Sequence, residues 1–587
     1  SSLTVIPEAD ALLGRAPMYL IQDLRPIARF TADPTVLAVR AEAPWKTVQE
    51  FVDDARKRPG ALTYGSSGNY GTMHVPMEIL AQAAGIQLTH VPFTGAAPAV
   101  AGASAPAPVQ SETFTVHTDV MTATFDTLGG TLRQVALNKY QSDVDAKQPM
   151  LVLDEKGHRY EAQTGYISAA ATPLPTHLTL MSAVPGERDL KDGQDTLTVR
   201  FESPEVGGAK LVKTYTFHRG QYTVGVQHAL TNVGSAPLQP QLYLQLQRDD
   251  KAPGVTSSFY STFTGPAVYT DEKRYQKVKF EDIAKHQPGD SPLHVQKAND
   301  GWIAMVQHYF ATAWLVKDGS PREFRTTKVG PDLFAVALVQ PLAAVAPGAT
   351  QTNDATLFVG PQEEKKLATL APGLELVKDY GWFKVLAEPL FWVLDKIHAF
   401  IGNWGWSIIL LVVLLKAAFY WLNANAYKSM AKMKAVNPRI MELRERLKDK
   451  PQEMQQEMMR IYREEKVNPL GGCLPIFIQM PFFMALYWVL MSTVEMRGAP
   501  WIGWITDLSA KDPLFILPVL MTMSSLLQVW LSPKQADPMQ QKMMWIMPLA
   551  FSFMFFFFPS GLVLYWLTNN LLSIAQQYVI NKRMGVL

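Results

Sequence analysis

The strongest constraint on this chain is a set of long uncharged runs in its last third. Residues 397–415, 467–493, 513–533 and 543–581 hold no Asp, Glu, Lys or Arg. A helix crosses the hydrocarbon of a bilayer with about 20 such residues. The last run has 39 residues, room for two crossings, with Pro559, Ser560 and Gly561 as the break between them. We therefore expect five transmembrane helices near 403–422, 471–492, 513–531, 542–558 and 561–581.

One residue interrupts this pattern. From Ile397 to Tyr427 the single charged side chain, His398 aside, is Lys416. Pairing with an intramembrane acid, as ion-coupled transporters require, fails on inventory, because the other four expected spans contain no Asp or Glu. Two readings stay open. Lys416 lies about six residues, roughly 9 Å at 1.5 Å per residue, from the inner end of its helix, within partial reach of a snorkelling side chain. Alternatively it lines a wet cavity with the uncharged polar groups of the other spans: Gln479, Gln528, Tyr565, Thr568, Asn569, Asn570 and Gln576. A cation among such groups, open to water, attracts acidic peptide at less than the cost of full burial.

Basic residues set the orientation. The loop 423–470 carries eleven Lys and Arg, whereas 494–512 carries only Arg497 and Lys511. The basic loop is expected in the cytoplasm, with residues before 400 on the outer side and the C-terminus inside. The loop splits near Lys450 and Pro451 into two charged helices, a helical hairpin over 424–466. Its methionines, among them Met430, Met433, Met454 and Met458, suit a promiscuous apolar client or simply pack the hairpin. Residues 371–402 alternate aromatic and aliphatic side chains with Lys384, Glu388, Asp395 and Lys396, the pattern of an amphipathic helix lying in the membrane interface.

The averages of the 587-residue chain, 48% hydrophobic with a net charge of +2, conceal two kinds of sequence. Residues 112–370 show period-two alternation, as in LTVRFES, KLVKTYTFH and YTVGVQHAL, separated by Gly, Pro, Asn and Asp, and predict a large antiparallel β-sandwich. Its His and Glu residues have no catalytic spacing, and we assign it a structural or docking role. The single cysteine, Cys473, excludes an intramolecular disulfide and a cysteine-based metal site. No phosphate-binding loop of the G-x-x-x-x-G-K-[ST] type is present. We expect no catalytic residue, metal, cofactor or nucleic-acid binding.

Residues 1–100 alternate helix and strand signals, an α/β unit, and residues 101–111 (AGASAPAPVQS) form an Ala/Pro/Ser linker. The turn YGSSGNYGTMH (64–74) runs into a helix; it is either a plain connection or a place where free amides hold a carboxylate, with Ser66, Ser67, Asn69 and Thr72 as the candidates. DLRPIARF, TVQEFVDDARKRPGALTYGSSGNYGTMH and LTHVPFTGAAPAV resemble the periplasmic solute receptors of tripartite tricarboxylate transport systems, which implies carboxylate binding by a fragment of about a third of such a receptor.

KDYGW, GNWGWSI, YKSMAKMKAVNPRI, EKVNPLGGCLPIFIQMPFFMALYWVL, DLSAKDP, DPMQQKMM and FPSGLVLYWLTNN, in order across 375–587, resemble the YidC/Oxa1/Alb3 family. The region 112–360, with its TLGGTL stretch, looks like the periplasmic supersandwich of the Gram-negative members. The resemblance implies an inner-membrane insertase and chaperone that is not an enzyme and needs no ATP. It would work alone or with the Sec translocon on nascent membrane proteins, with the targeting machinery and the ribosome as further partners and the bilayer as its setting. It also implies a hydrophilic groove open to cytoplasm and lipid. Lys416 matches the position of the family's groove arginine. Val412 stands where many members carry threonine, and Trp566 where a second tyrosine often follows the one matching Tyr565. Gram-negative members begin with a signal anchor; here the receptor-like stretch stands in its place, which reads as a fusion or a chain truncated upstream. The rival reading is a carboxylate-binding transport component acting through residues 1–100.

Overall fold

The computed structural model describes residues 44–45, 47–66, 74–92, 111–142, 147–155, 159–168, 172–251, 263–287, 289–330, 332–448, 450–465, 474–531 and 538–583. It divides into two units, Ser1–Gln110 with Val329–Pro331, and Ser111–Lys328 with Asp332–Leu587.

In the first unit, helix α1 (Val48–Lys57) starts at a capping box: Glu50 N–H donates to Thr47 Oγ1 at 3.2 Å, and Thr47 N–H donates to the Glu50 carboxylate at 3.3 Å. Its apolar face, Phe51, Val52 and Ala55, packs on Ala81 and Ile86. Strand Thr63–Ser66 pairs in parallel with Thr89–Pro92, and helix α2 (His74–Ala84) supplies the crossover that parallel pairing requires. This β–α–β crossover is the described part of the expected α/β unit; residues 1–43 and 93–100 lie outside the described residues.

In the second unit two nine-stranded antiparallel sheets face each other. One runs in the order Arg274–Lys277, Gly265–Thr270, Trp302–Val306, Phe310–Leu315, Thr350–Pro361, Thr223–Asn232, Ala209–His218, Thr196–Glu202, Ser182–Ala183. The other runs Lys297–Ala298, Arg322–Lys328, Leu333–Pro341, Pro240–Asp249, Tyr160–Ser168, Thr131–Gln141, Met121–Asp126, Thr113–His117, with Pro149–Leu153 also on Thr131–Gln141. Alternation does what period two requires: in Thr196–Glu202, Leu197, Val199 and Phe201 are buried and the residues between them exposed. A single core joins the two inner faces. Helix α3 (Phe280–Lys285) buries Ile283 beside Val278 and Phe334.

One inward position of the sandwich is charged in sequence. Lys213 shares its face with Leu211, Tyr215 and Phe217 and is fully buried. Its Nζ donates to Gly129 O at 2.8 Å and Thr164 O at 2.7 Å. Burial pushes its pKa down to about 7. The neighbouring His228, bonded to Thr164 Oγ1, is pushed down to about 3, by burial and then by Lys213.

Past the sheets come α4 (Glu364–Leu370) and then α5 (Lys384–Ile401). The apolar i, i+3, i+4, i+7 set of α5 (Ala387, Leu390, Phe391, Leu394) faces the helical core, while Val385, Trp392 and Phe400 are exposed. Gly402 ends it in the left-handed conformation, φ 75°. Helix α6 (Trp404–Ala418) starts at Asn403, whose Oδ1 accepts from Trp406 N at 3.1 Å and whose Nδ2 donates to Pro500 O and Trp501 O. The Trp501 ring lies so close to Gly405 that a methyl group there would overlap it.

The chain then turns at Phe419 into α7 (Tyr420–Arg446), so the expected span 403–422 is two helices rather than one. Helix α8 (Pro451–Glu464) folds back on α7 through Met458, Ile461 and Tyr462 against Val436 and Ile440, a hairpin. Helices α9 (Leu474–Ser492), α10 (Ile516–Leu531), α11 (Pro538–Phe555) and α12 (Ser560–Arg583) complete the unit. Asp512 ties the start of α10 by accepting from Leu514 N, Leu517 N and Trp504 Nε1.

Among the described residues no helix is long and apolar enough to cross a membrane. Helix α6, with 15 residues, is about 22 Å long at 1.5 Å per residue, shorter than the roughly 30 Å of hydrocarbon.

Candidate functional site

Helix α12 carries two polar stripes, and helical spacing explains both. Asn569, Ser573 and Gln576 form one face; Asn570 and Gln577 form the next. The second stripe turns toward α10: Asn570 Nδ2 donates to Ser524 Oγ at 2.8 Å, and Gln577 Nε2 to Leu531 O at 3.4 Å. The first turns toward α6 and α7: Lys416 Nζ donates to Ser573 Oγ at 2.8 Å, and Gln576 Nε2 to Tyr420 O at 3.2 Å. Ser573 Oγ in turn donates to Asn569 O at 2.8 Å.

Lys416 is half-buried, and among the described residues it has no ion-pair partner. One turn beyond Phe419, Asn423 is buried with its amide nitrogen unbonded among the described residues. The side-chain neighbour of Lys416 is thus a serine, Ser573.

The other expected residues are distributed more widely. Thr568, half-buried, donates from Oγ1 to Leu564 O on its own helix, and Asn569 lies half-buried beside it. Gln528 is half-buried on α10. Tyr565 is buried in the helical core, its ring 5.7 Å from Phe483, with Trp566 stacked on the same Phe483 at 5.2 Å. Val412 is buried in that core too.

Gln479 falls within α9, but its side chain lies outside the described residues, as do those of Met430 and Met433 on α7. Met454 is half-buried, and Met458 packs the hairpin. Ser67, Asn69 and Thr72 lie outside the described residues, and Ser66 is described only as backbone in its strand. Ser573, Asn423 and Ser524 were not singled out from sequence. The signal for Ser573 was its position four residues after Asn569 and three before Gln576, which puts it on the same face.

A second polar cluster joins the sandwich to the helices. Lys378 is buried with its Nζ 3.8 Å from Glu364 and 3.7 Å from Glu495, and 3.7 Å above the Phe391 ring. Tyr380 Oη donates to Glu364 at 2.5 Å, and Lys365 pairs with Asp395 at 2.5 Å. Burial pushes Lys378 down, against the pull of Glu495 and Glu364, and pushes Glu495 up, against that of Lys378. Arg497 donates to Gln141 O at 2.5 Å, and His308 Nε2 meets Met491 O at 2.8 Å. Val494 completes the junction by entering the core of the sandwich.

Three family matches run along the chain. Residues 113–393 match the family described as YidC periplasmic domain, 396–585 the 60Kd inner membrane protein family, and 8–177 the tripartite tricarboxylate transporter family receptor. The stretch 113–177 is shared by two of these matches, and its strands belong to the sandwich sheet. The membrane protein insertase YidC of Cupriavidus necator is 53% identical over 501 residues, 84% of this chain and 88% of that protein. That of Paraburkholderia xenovorans is 50% identical over 506 residues, 85% of this chain and 89% of its own. A crystal structure of the active YidC insertase with its first transmembrane domain resolved aligns over 80% of this chain and 93% of its own, at 20% identity and a TM-score of 0.37.

Proposed function

Because this chain belongs to the YidC/Oxa1/Alb3 family of bacterial inner-membrane insertases, we propose that it inserts nascent membrane proteins through the polar face that α12 turns toward α6 and α7. The observation that carries this reading is Lys416: a half-buried cation held by a hydroxyl, with no carboxylate beside it among the described residues. A cation so placed keeps its attraction for an acidic segment of a client, because no internal acid neutralises it. Asn569 and Gln576 give the hydrophilic part of the client hydrogen-bonding groups, while the apolar part moves into lipid. The transfer makes and breaks no covalent bond and consumes no ATP.

In this reading α6 with the start of α7, α9, α10, α11 and α12 provide five crossings. The hairpin of α7 and α8 lies in the cytoplasm, where its methionines and basic residues meet clients, targeting machinery or ribosome. The sandwich lies in the periplasm, and α5 lies along the outer surface of the bilayer with Trp392 and Phe400 in the headgroup region. The protein acts alone or beside the Sec translocon and helps its clients fold.

The test is insertion of a single-span client with an acidic outer segment in cells depleted of their own insertase. The chain is expected to restore insertion, and Lys416→Ala to lose most of it. Equal activity of both, at equal abundance in the membrane, would overturn the role given to this polar face.

A further inference from the structure

We infer that Ser573 is a positioning residue for client insertion: its hydroxyl holds the Lys416 ammonium against α12, in the polar face. This rests on the role proposed for Lys416.

The argument starts from the hydroxyl hydrogen. Ser573 Oγ donates to Asn569 O at 2.8 Å, one helical turn back, so its hydrogen is committed within α12. What the oxygen has left is acceptor capacity, and Lys416 Nζ uses it at 2.8 Å. The direction of the bond between α6 and α12 is thereby fixed: the serine accepts, the lysine donates.

The alternative positions of Lys416 show why this matters. The residue lies two positions from the end of α6 at Ala418, where unbonded carbonyls carry partial negative charge and attract a cation. Its flexible stem also allows snorkelling away from the face. A single directed acceptor on α12 selects one of these positions. An ammonium has three donors; with one on Ser573, two remain for water or a client carboxylate. The guanidinium that usually occupies this position in the family has five donors in a rigid fork and is less dependent on one acceptor.

The experiment uses the full chain in insertase-depleted cells and two single-span clients that differ only in whether the outer segment is acidic or neutral. With the acidic client, Ser573→Ala is expected to lower the initial insertion rate about tenfold, the scale of one hydrogen bond to a charged group. With the neutral client it should leave the rate unchanged. Ser573→Thr, which keeps the hydroxyl, should restore the acidic client, and Lys416→Arg combined with Ser573→Ala should restore much of it. Membrane abundance and protease resistance of each variant monitor folding.

If Ser573→Ala matches the parent on the acidic client while Lys416→Ala loses it, the positioning role is overturned and the role of the lysine stands. Equal loss on both clients makes Ser573 structural and also overturns the positioning role. If Lys416→Ala is silent on the acidic client, both readings fall together.

Discussion

In the sandwich, Lys213 is fully buried and reaches two backbone carbonyls; in the helical half, Lys416 keeps part of its surface and reaches one hydroxyl. Full burial with only two carbonyl acceptors disfavours the charged form of Lys213 and brings its pKa down to about 7. Lys416 has donors to spare and an open side. The same residue type is thus a packing element in one region and an available charge in the other. Between them, Lys378 shows a third arrangement, a buried charge set between two carboxylates and an aromatic ring. What separates the three is whether a hydroxyl, a carbonyl or a carboxylate faces the nitrogen.

The comparison breaks most visibly at the junction. Lys378→Ala removes a buried cation from two half-buried carboxylates and from its place above the Phe391 ring, a loss expected near the lower end of the about 3–5 kcal/mol that breaking a buried pair costs. Thermal unfolding of the full chain in detergent should show that loss, with uncoupling of the sandwich transition from the helical one; a loss below about 1 kcal/mol would mean that apolar contacts around Val494 hold the junction.

Lys213 sharpens the comparison through pH. Its folded pKa of about 7 lies below the ordinary lysine value of 10.5, so between these values the unfolded chain binds more protons. Stability of the sandwich therefore rises with pH across this window, by at most about 1.4 kcal/mol per pH unit, and the full penalty is present below it. His228, lowered from 6.5 to about 3, extends the same trend: stability is lost as pH falls through that lower window. Denaturant titrations from pH 6 to pH 10 should show the upper slope in the parent and its absence in Lys213→Met; equal slopes would remove Lys213 from the account.

In the helical half, packing rather than proton binding sets stability. Gly405→Ala drives a methyl into Trp501, an overpacking cost of about 1–3 kcal/mol, visible as a lower unfolding temperature at every pH. The smallest effect is expected for Lys416→Ala, whose half-buried side chain makes one hydrogen bond and, among the described residues, no ion pair, a contribution to stability of about 1 kcal/mol, while insertion of acidic clients falls. A stability loss as large as that of Lys378→Ala would erase the distinction between an available charge and a structural one.

Much of this was legible beforehand. Alternation in LTVRFES and KLVKTYTFH fixed strand faces, and the second of these already put Lys213 in register with Leu211, Tyr215 and Phe217 on the inward side. Pro451, at the first position of α8, and the charged residues around it marked where one polar helix ends and the next begins. The break at Phe419 was not, because hydropathy measures how long an apolar run is and carries no record of where the backbone turns. Nor was the contact of the Tyr565 ring with Phe483, which joins residues of two helices far apart in the chain.

By itself, the sequence determined the kinds of surface in this protein: a two-faced set of strands, uncharged helical runs, and a lysine with no acid in those runs to answer it. Period and composition are local properties, and they decide which side of an element avoids water. The tertiary structure decided who meets whom. Lys416 and Ser573 are 157 positions apart, and Lys378 lies between carboxylates from opposite sides of the junction. Such pairings depend on how whole elements pack and at what height, and no local pattern encodes that.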